Sequence, residues 1–363
     1  MTDALAREVW EWRGVRGKLL WLLLLPASCL FAIGVQLRNA LFKLGWLRST
    51  RLPRPVISVG NLTVGGTGKT PTCLWLSEAL GERGLRVGIL SRGYRRKEKR
   101  SLVLQPRFAA STASESDLDA LKSGDEPLMM AQLYDQIVGI GKNRGDAAAE
   151  VLRSVNVDVF ILDDGFQHRR VKRDVDIVLL GSDCSGWTLP AGPFREPRRN
   201  LQRADFFLTT GSYEEWQKVI PKDRAGAAFA GAVRAVCLIG IGGRQVKEFP
   251  LSILYRSKIL TVTGVGDPTG LYRLIHEWEG EIVETLEFPD HHFYTTADWQ
   301  QISRVARLVD LIVTTEKDIV KLRRFPFAKD RLLALRVAMS VQNGAALIDA
   351  IVAKLRPCEG GMI

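Results

Sequence analysis

The 363-residue sequence has few cysteines, and none of them lie in pairs. The five cysteines form no CxxC motif and their number is odd; they are Cys29, Cys73, Cys184, Cys237 and Cys358. This pattern argues against a disulfide framework and against a zinc site. A reducing compartment is the simplest inference.

The sequence also contains no internal repeat and no low-complexity tract. Hydrophobic residues make up 46% and charged residues 25%, the ordinary mix of a globular protein, and the length predicts about two domains. Positive charge is in excess, since 51 Lys and Arg face 40 Asp and Glu. The net charge of +11 favours an anionic partner, such as nucleic acid, a nucleotide, a phosphorylated substrate or an acidic membrane surface.

One long apolar segment lies near the N-terminus. Residues 19–37 carry no charge and just reach the ~20 residues needed to cross a hydrocarbon core. Basic residues lie on both sides of it, and Trp10, Trp12, Trp21 and Trp46 bracket it. These features predict a membrane-associated helix, inserted or interfacial, that is interrupted at Pro26 and attached to an anionic leaflet. A buried core helix is the alternative interpretation.

Short apolar runs rich in β-branched residues alternate with helix-length segments from Val56 onward. The runs predicted to form the sheets are 56–60, 87–90, 137–141, 159–164, 176–180, 206–210, 259–264, 311–318 and 332–337, followed by a helix over 344–355. Strands that are apolar on both faces predict a parallel α/β sheet covered by helices. Residues 96–124 are polar and are expected to form a mobile insertion.

A glycine-rich turn between the first strand and a helix is the strongest local signal. TVGGTGKT fits the P-loop pattern G-x-x-x-x-G-K-[ST], except that threonine replaces the first glycine. Gly65 and Gly66 are expected to provide backbone freedom, Lys69 to reach the β- and γ-phosphates, and Thr70 to ligate Mg²⁺. The residues expected to bind the nucleoside triphosphate are Thr63, Val64, Gly65, Gly66, Thr67, Gly68, Lys69 and Thr70.

The run 159–164 ends in two carboxylates, Asp163 and Asp164. P-loop proteins present the acid that holds Mg²⁺ at the end of such a strand. Strand alternation is expected to aim the two side chains to opposite sides, so that one holds the metal and the other a neighbouring water or substrate group.

Seven motifs occur in the order found in one known family. They are SVGNLTVGGTGKTP, SRGYRR, SGDEP, ILDDGFQHRR, LPAGPFREP, FPDHHFY and TTEKDIVKL. With the apolar N-terminal segment they make the sequence resemble the tetraacyldisaccharide 4'-kinases, the lipid A 4'-kinases of Gram-negative bacteria. The resemblance implies transfer of phosphate from ATP, with Mg²⁺, to the 4'-hydroxyl of tetraacyldisaccharide 1-phosphate, giving lipid IVA at the cytoplasmic face of the inner membrane.

The resemblance also implies roles for particular residues. Asp125 is the candidate base, paired with His291 or, as the fallback, His292. Arg195, as a catalytic residue, and Arg144 are expected to act around the γ-phosphate or the substrate. The residues expected to contact the substrate are Arg92, Tyr94, Arg144, Gln167 and His168, with Arg95 and Arg96 beside the first two. Lys317 and Asp318 are left open between nucleotide binding, domain closure and structure.

The expected organisation is a membrane-associated helix and linker at 1–50, a P-loop kinase domain at 51–230 and a smaller α/β domain at 231–363. Two other classes compete with the kinase. A switch ATPase of the partitioning type is disfavoured because its extra lysine position holds Val64. A soluble ATP-dependent ligase or GTPase is the other class; the GTPase is disfavoured because no NKxD-type motif is found at a suitable strand end. No nucleic-acid-binding module and no obligate protein partner are indicated.

Overall fold

The computed structural model describes residues 3–94, 96, 98–105, 120–184, 186–242, 245–328 and 331–355. The strands are β1 (Val56–Asn61), β2 (Val87–Ser91), β3 (Leu102–Leu104), β4 (Ile137–Ile140), β5 (Val159–Asp163), β6 (Val175–Leu180), β7 (Phe206–Thr209), β8 (Ala228–Gly242), β9 (Gln245–Phe249), β10 (Lys258–Thr263), β11 (Glu281–Glu287), β12 (Leu311–Thr315) and β13 (Leu332–Val341). Cys358, Arg95 and residues 106–119 of the expected insertion lie outside the described residues.

The α-helices are α1 (Asp3–Trp10), α2 (Gly14–Lys43), α3 (Lys69–Gly81), α4 (Ala120–Ser123), α5 (Asp125–Leu133), α6 (Arg144–Ser154), α7 (Tyr213–Gln217), α8 (Thr269–Glu277), α9 (Thr296–Val305), α10 (Glu316–Leu322) and α11 (Gly344–Leu355). The final helix begins and ends where the sequence predicts. The α/β class with mostly parallel strands is confirmed.

Contacts divide the chain into two compact units. The first unit holds Met1–Val87, Val157–Ala232 and Ser340–Ile363, and the second holds Gly88–Asn156 and Val233–Met339. The units therefore interleave along the chain, whereas the sequence suggested successive ranges at 51–230 and 231–363. The difference arises because the stretch from β2 to α6 groups with the C-terminal strands.

In the first unit, β1 lies between β5 and β6, and β7 continues on the far side of β6, all in parallel. Every position of β1, β5 and β6 is buried, which explains why these strands are mostly apolar on both faces. Helix α3 packs on β1 and β5, and α11 packs on α3 and β6. The carboxyl ends of β1 and β5 are thus neighbours, with Val59 opposite Asp163.

In the second unit, β2 pairs in parallel with β4, and β3 pairs antiparallel with β4. A separate parallel group runs β11, β10, β12 and β13. The last residues of β8 pair antiparallel with β9. The sequence did not predict β3, β8, β9 or β11. Strand β3 has only three residues, β8 is rich in alanine and glycine, and β9 and β11 contain charged residues that interrupt any apolar run.

Two local expectations were wrong. The run 311–318 is not one strand: β12 ends at Thr315, whose hydroxyl accepts the N–H of Asp318 and caps α10. The stretch 96–124 is not simply a polar insertion, since it contributes β3 and α4.

The apolar N-terminal segment forms part of α2, which runs through Pro26 without a break. Within the described residues it is the one helix long and apolar enough to cross a membrane, and only 6% of its most apolar window is buried. The alternative of a buried core helix is therefore wrong.

Gly60 illustrates how tightly the first sheet is packed. A Cβ atom at this position would lie 2.6 Å from both Cβ and backbone N of Phe166. We expect Gly60→Ala to destabilise the protein by about 1–3 kcal/mol, because the backbone must shift. Urea unfolding measures the change, with Gly226→Ala as the control since no atom lies within 4 Å of its added Cβ. Equal midpoints for the two variants would contradict the prediction.

Candidate active site

The P-loop lies in the first unit, between the buried strand β1 and helix α3. Gly65 (φ 102°) and Gly68 (φ 82°) adopt the left-handed backbone that only glycine takes readily. The sequence predicted this backbone freedom at Gly65 and Gly66, and the structure confirms it at Gly65 but places the second left-handed residue at Gly68. Gly68 is the N-cap of α3, so Lys69 and Thr70 open the helix and its free N–H groups can bind phosphate oxygens.

The segment around Pro193 and Arg195 is hydrogen-bonded to the P-loop. Val64 N–H donates to Pro193 O (2.9 Å), and Arg195 N–H donates to Leu62 O (2.7 Å). These bonds bring the Arg195 side chain to the P-loop from far along the sequence.

Two cations share one carboxylate beside the loop. Arg195 Nη1 lies 3.0 Å from each oxygen of Asp164, and Lys69 Nζ lies 3.7 Å from Asp164 Oδ1 and 3.3 Å from Asn61 Oδ1. This cluster of Lys69, Arg195 and Asp164 carries a net positive charge. It suits an anion with several oxygens, such as a polyphosphate.

Asp163 and Asp164 have different environments, although not because of strand alternation. Strand β5 ends at Asp163, and Asp164 lies in a left-handed turn with φ 52°. Asp163 is buried, with Oδ1 3.8 Å from Cys73 Sγ, whereas Asp164 is engaged by the two cations.

Thr70 and Asp163 fit a Mg²⁺ ion better than Asp164 does. Mg²⁺ binds hard oxygen ligands and is commonly held by one or two protein groups, water and substrate phosphates. The described residues contain no group of three or more His, Cys, Asp or Glu arranged for a metal. A hydroxyl and a buried carboxylate beside the P-loop supply ligands of this kind.

Gln167 and His168 also lie in the first unit, in the turn after Asp164. Gln167 Nε2 donates to Asn61 O (2.9 Å), so Gln167 and Lys69 contact the same residue. His168 N–H closes the turn onto Gly165 O at 2.8 Å. Both side chains are half-buried.

In the second unit, Asp125 and His291 form a close pair. His291 Nδ1 lies 2.9 Å from each carboxylate oxygen of Asp125, which opens helix α5 after Gly124 (φ 88°). His291 sits in a left-handed turn after β11 (φ 59°), and its N–H donates to Gly264 O. His292 instead contacts Asp298, at 3.0 Å. The geometry thus pairs Asp125 with the first of the two histidines.

A buried lysine that the sequence reading did not single out completes this pair. Lys321 Nζ lies 3.3 Å from Asp125 Oδ2 and 2.9 Å from Asp318 Oδ1, and all three side chains are buried. Lys317 bonds to Glu126, the residue after Asp125. The signal was present in TTEKDIVKL, because Lys317 and Lys321 are four residues apart and share one face of α10.

The two members of the pair shift each other's pKa. Burial alone would raise the pKa of Asp125, but the hydrogen bond from His291 and the charge of Lys321 outweigh it and hold the pKa well below its usual range. The hydrogen bond to Asp125 raises the pKa of His291, against the opposing effect of burial. Asp125 therefore stays ionised, and His291 becomes more readily protonated.

The remaining predicted substrate contacts also lie in the second unit. Arg92 and Tyr94 are exposed, and the Tyr94 ring lies 5.4 Å from the His291 ring. Arg144 is buried and its Nη1 donates to Gly141 O at 2.8 Å. This contact stabilises its own loop, so a substrate role for Arg144 stays a prediction.

A buried strand, a loop bounded by left-handed glycines, a helix that opens with lysine and threonine, and a carboxylate at the end of the adjacent strand define a P-loop nucleotide-binding protein. Comparison with known proteins narrows the class. The tetraacyldisaccharide-1-P 4'-kinase family matches residues 20–356. The chain belongs to this family, and it is a kinase.

Individual relatives agree with the family match. The tetraacyldisaccharide 4'-kinase of Syntrophus aciditrophicus is 39% identical over 339 residues, covering 87% of this chain and 88% of the relative. That of Haemophilus influenzae is 35% identical and covers 85% of each chain. A crystal structure of LpxK from Aquifex aeolicus in complex with ATP, 31% identical, superposes with a TM-score of 0.74 over 93% of this chain and 100% of that one.

The raised pKa of His291 predicts a titration above the ordinary value of 6.5. The stabilisation that its pairing provides is complete below that ordinary value and is lost as pH rises through the raised pKa. We expect Asp125→Asn to lower the pKa of His291, because the main cause of the shift is removed. NMR titration of His291 in the wild-type protein and in the variant measures this. An unchanged His291 pKa in the variant would refute the assignment.

Lys321 gives a stability prediction. Lys321→Met removes the cation that lies between two buried carboxylates, so we expect a loss of about 3–5 kcal/mol in the free energy of unfolding. Arg153→Met is the control, because Arg153 is 74% exposed and its pair with Glu150 should contribute only about 0.2–0.5 kcal/mol. Urea unfolding of both variants gives the comparison; similar losses would show that Lys321 is not the compensating charge.

Proposed function

We propose that this kinase transfers the γ-phosphoryl group of ATP to the 4'-hydroxyl of tetraacyldisaccharide 1-phosphate, giving lipid IVA in lipid A biosynthesis. Family membership supports the reaction, and the P-loop supports the donor. The observation that carries the proposal is the buried Asp125 carboxylate held by His291 at 2.9 Å. A P-loop alone is common to all nucleotidases of its class, whereas a kinase also needs a group that receives the acceptor's proton.

The reaction follows from these groups. The hydroxyl oxygen attacks the γ-phosphorus, the bond to the bridging oxygen of ADP breaks, and the hydroxyl proton passes to Asp125. A carboxylate with a depressed pKa is a weak base, but phosphoryl transfer has a loose transition state in which the proton leaves late. Asp125 therefore acts chiefly by orienting the hydroxyl, and His291 holds the carboxylate in its ionised, oriented form.

Lys69 and Arg195 are proposed to stabilise the negative charge of the phosphates. Both now contact Asp164, so a polyphosphate competes with this carboxylate for the two cations. Charge that spreads over the transferring oxygens is stabilised by such fixed cations. Thr70 and Asp163 are the residues proposed to hold Mg²⁺, which when bound neutralises phosphate charge.

Helix α2 is proposed to attach the chain to the cytoplasmic face of the inner membrane. Its most apolar window has a mean hydropathy of 2.1, and only 6% of that window is buried. A membrane attachment places the kinase where an acylated disaccharide resides, and the chain's net charge of +11 suits an anionic leaflet.

Transfer of ³²P from [γ-³²P]ATP to detergent-dispersed tetraacyldisaccharide 1-phosphate, with and without Mg²⁺, tests the proposal. We expect Asp125→Ala to lower kcat by about 10²–10⁴-fold while ATP binding persists, and Lys69→Ala to weaken ATP binding as well. Asp349→Ala is the control, since this carboxylate is 67% exposed and pairs with Arg83.

The outcomes separate the alternatives. Near-normal turnover of the Asp125 variant would remove that residue from the mechanism. Hydrolysis of ATP with no labelled lipid would instead favour a switch ATPase.

A further inference from the structure

Helix α2 has one polar seam and one apolar face. At about 100° per residue, Trp21, Ser28 and Asn39 project within roughly 20° of one another. Leu19, Leu23, Leu30 and Leu37 project from the opposite side and are 57%, 74%, 70% and 60% exposed. The helix is therefore two-sided, although its composition is apolar nearly throughout.

The polar seam is hydrogen-bonded to the folded part of the first unit along its length. Ser28 Oγ donates to Thr188 O at 2.6 Å, Gln36 Nε2 donates to Asn200 Oδ1 at 3.1 Å, and Asn39 Nδ2 donates to Glu196 Oε2 at 2.9 Å. Ser28, Asn39, Thr188, Asn200 and Glu196 are all buried. From the Trp21 contact with Trp187 to Asn39, the seam covers about 27 Å of helix.

Both ends of α2 are tied to the same unit. Before it, Val9 of α1 is fully buried, and Trp10 Nε1 donates to Pro190 O at 3.0 Å. After it, Ser49 Oγ donates to Arg169 O and Thr50 N–H donates to Arg170 O. A helix that crossed a bilayer would carry its two flanks to opposite sides of the membrane.

We propose that α2 lies in the plane of the membrane surface instead of crossing it, with its seam on the protein and its leucine face in the lipid. The inference rests on the proposed membrane attachment and specifies its geometry. If α2 crossed the membrane, its buried partners Thr188, Asn200 and Glu196 would either enter the hydrocarbon or lose their hydrogen bonds to α2. Both outcomes cost free energy, because they leave polar groups in an apolar environment or without partners.

The occupant of the leucine face is an anionic lipid surface. Basic residues flank the exposed leucines at both ends, namely Arg13, Arg16, Lys18, Arg38, Lys43 and Arg48. Trp12 and Trp46, at the two ends, are 51% and 78% exposed, as expected of residues at the level of lipid headgroups. An apolar face bordered by cations and tryptophans is typical of an interfacial helix.

Topology is tested with an epitope and a protease site placed before Met1 of the full chain. Inverted inner-membrane vesicles from expressing cells have the cytoplasmic face outward. An in-plane α2 leaves both the epitope and the kinase body accessible, so added protease removes the epitope without detergent. Protection of the epitope until detergent is added, with the body still accessible, would overturn the proposal in favour of a crossing helix.

The lipid-facing side is tested separately by flotation with phosphatidylethanolamine–phosphatidylglycerol vesicles. We expect Leu30→Glu to weaken binding by at least about tenfold, while Leu308→Glu, at an equally exposed leucine of the second unit, does not. Equal binding by both variants would overturn the leucine face as the lipid contact. If the wild-type chain does not float with the vesicles, the proposed membrane attachment itself is wrong. A protected epitope would instead leave the attachment intact and show that α2 crosses the membrane.

Discussion

The Asp164 carboxylate, held between Lys69 and Arg195, joins three segments of the first unit that are remote in sequence. The P-loop supplies one cation, the segment that runs beside it supplies the other, and the turn after β5 supplies the acid. The ion pairs alone would not fix these side chains on mobile loops, because a single surface ion pair contributes little to stability. Here the backbone bonds of Val64 and Arg195 fix two of the segments, so the charges meet in a preset arrangement.

The same segments carry helix α2. Arg38 of α2 donates to Gln167 O, and Arg169 donates to Asn39 O, so the turn after Asp164 is held from the helix side as well. Glu196, the neighbour of Arg195, accepts hydrogen bonds from Asn39, Asn200 and Arg203 and is almost completely buried. The helix proposed to contact lipid and the P-loop are thus held by the same two segments, the turn after Asp164 and the segment around Arg195.

The central strands and the P-loop could be predicted from sequence, since β1 and β5 are buried on both faces and are therefore mostly apolar. Only one of the two left-handed glycines of the P-loop was predicted. The sequence shows where glycine permits a positive φ, but the course of the folded backbone determines that Gly68 and not Gly66 adopts one. Strands β9 and β11 were missed because exposed polar residues alternate along them. The pairing of Asp125 with His291 came from resemblance. Lys321 was overlooked because its spacing from Lys317 indicates a shared helix face but not the partner, Asp125, which lies 196 positions away.

Helix α10 shows why such residues are hard to find. It has only seven residues, yet it buries charged groups at Glu316, Asp318 and Lys321. Glu316 accepts from Tyr134 and Arg336, whereas Asp318 accepts from Gly264 N–H and Thr315, so each carboxylate is compensated by a different part of the second unit. By composition the segment reads as a solvated, charged helix. Burial contradicts that interpretation, because a charge removed from water is retained only where its partners are fixed. Of the buried charges of α10, Lys321 is the one that helps to keep Asp125 ionised.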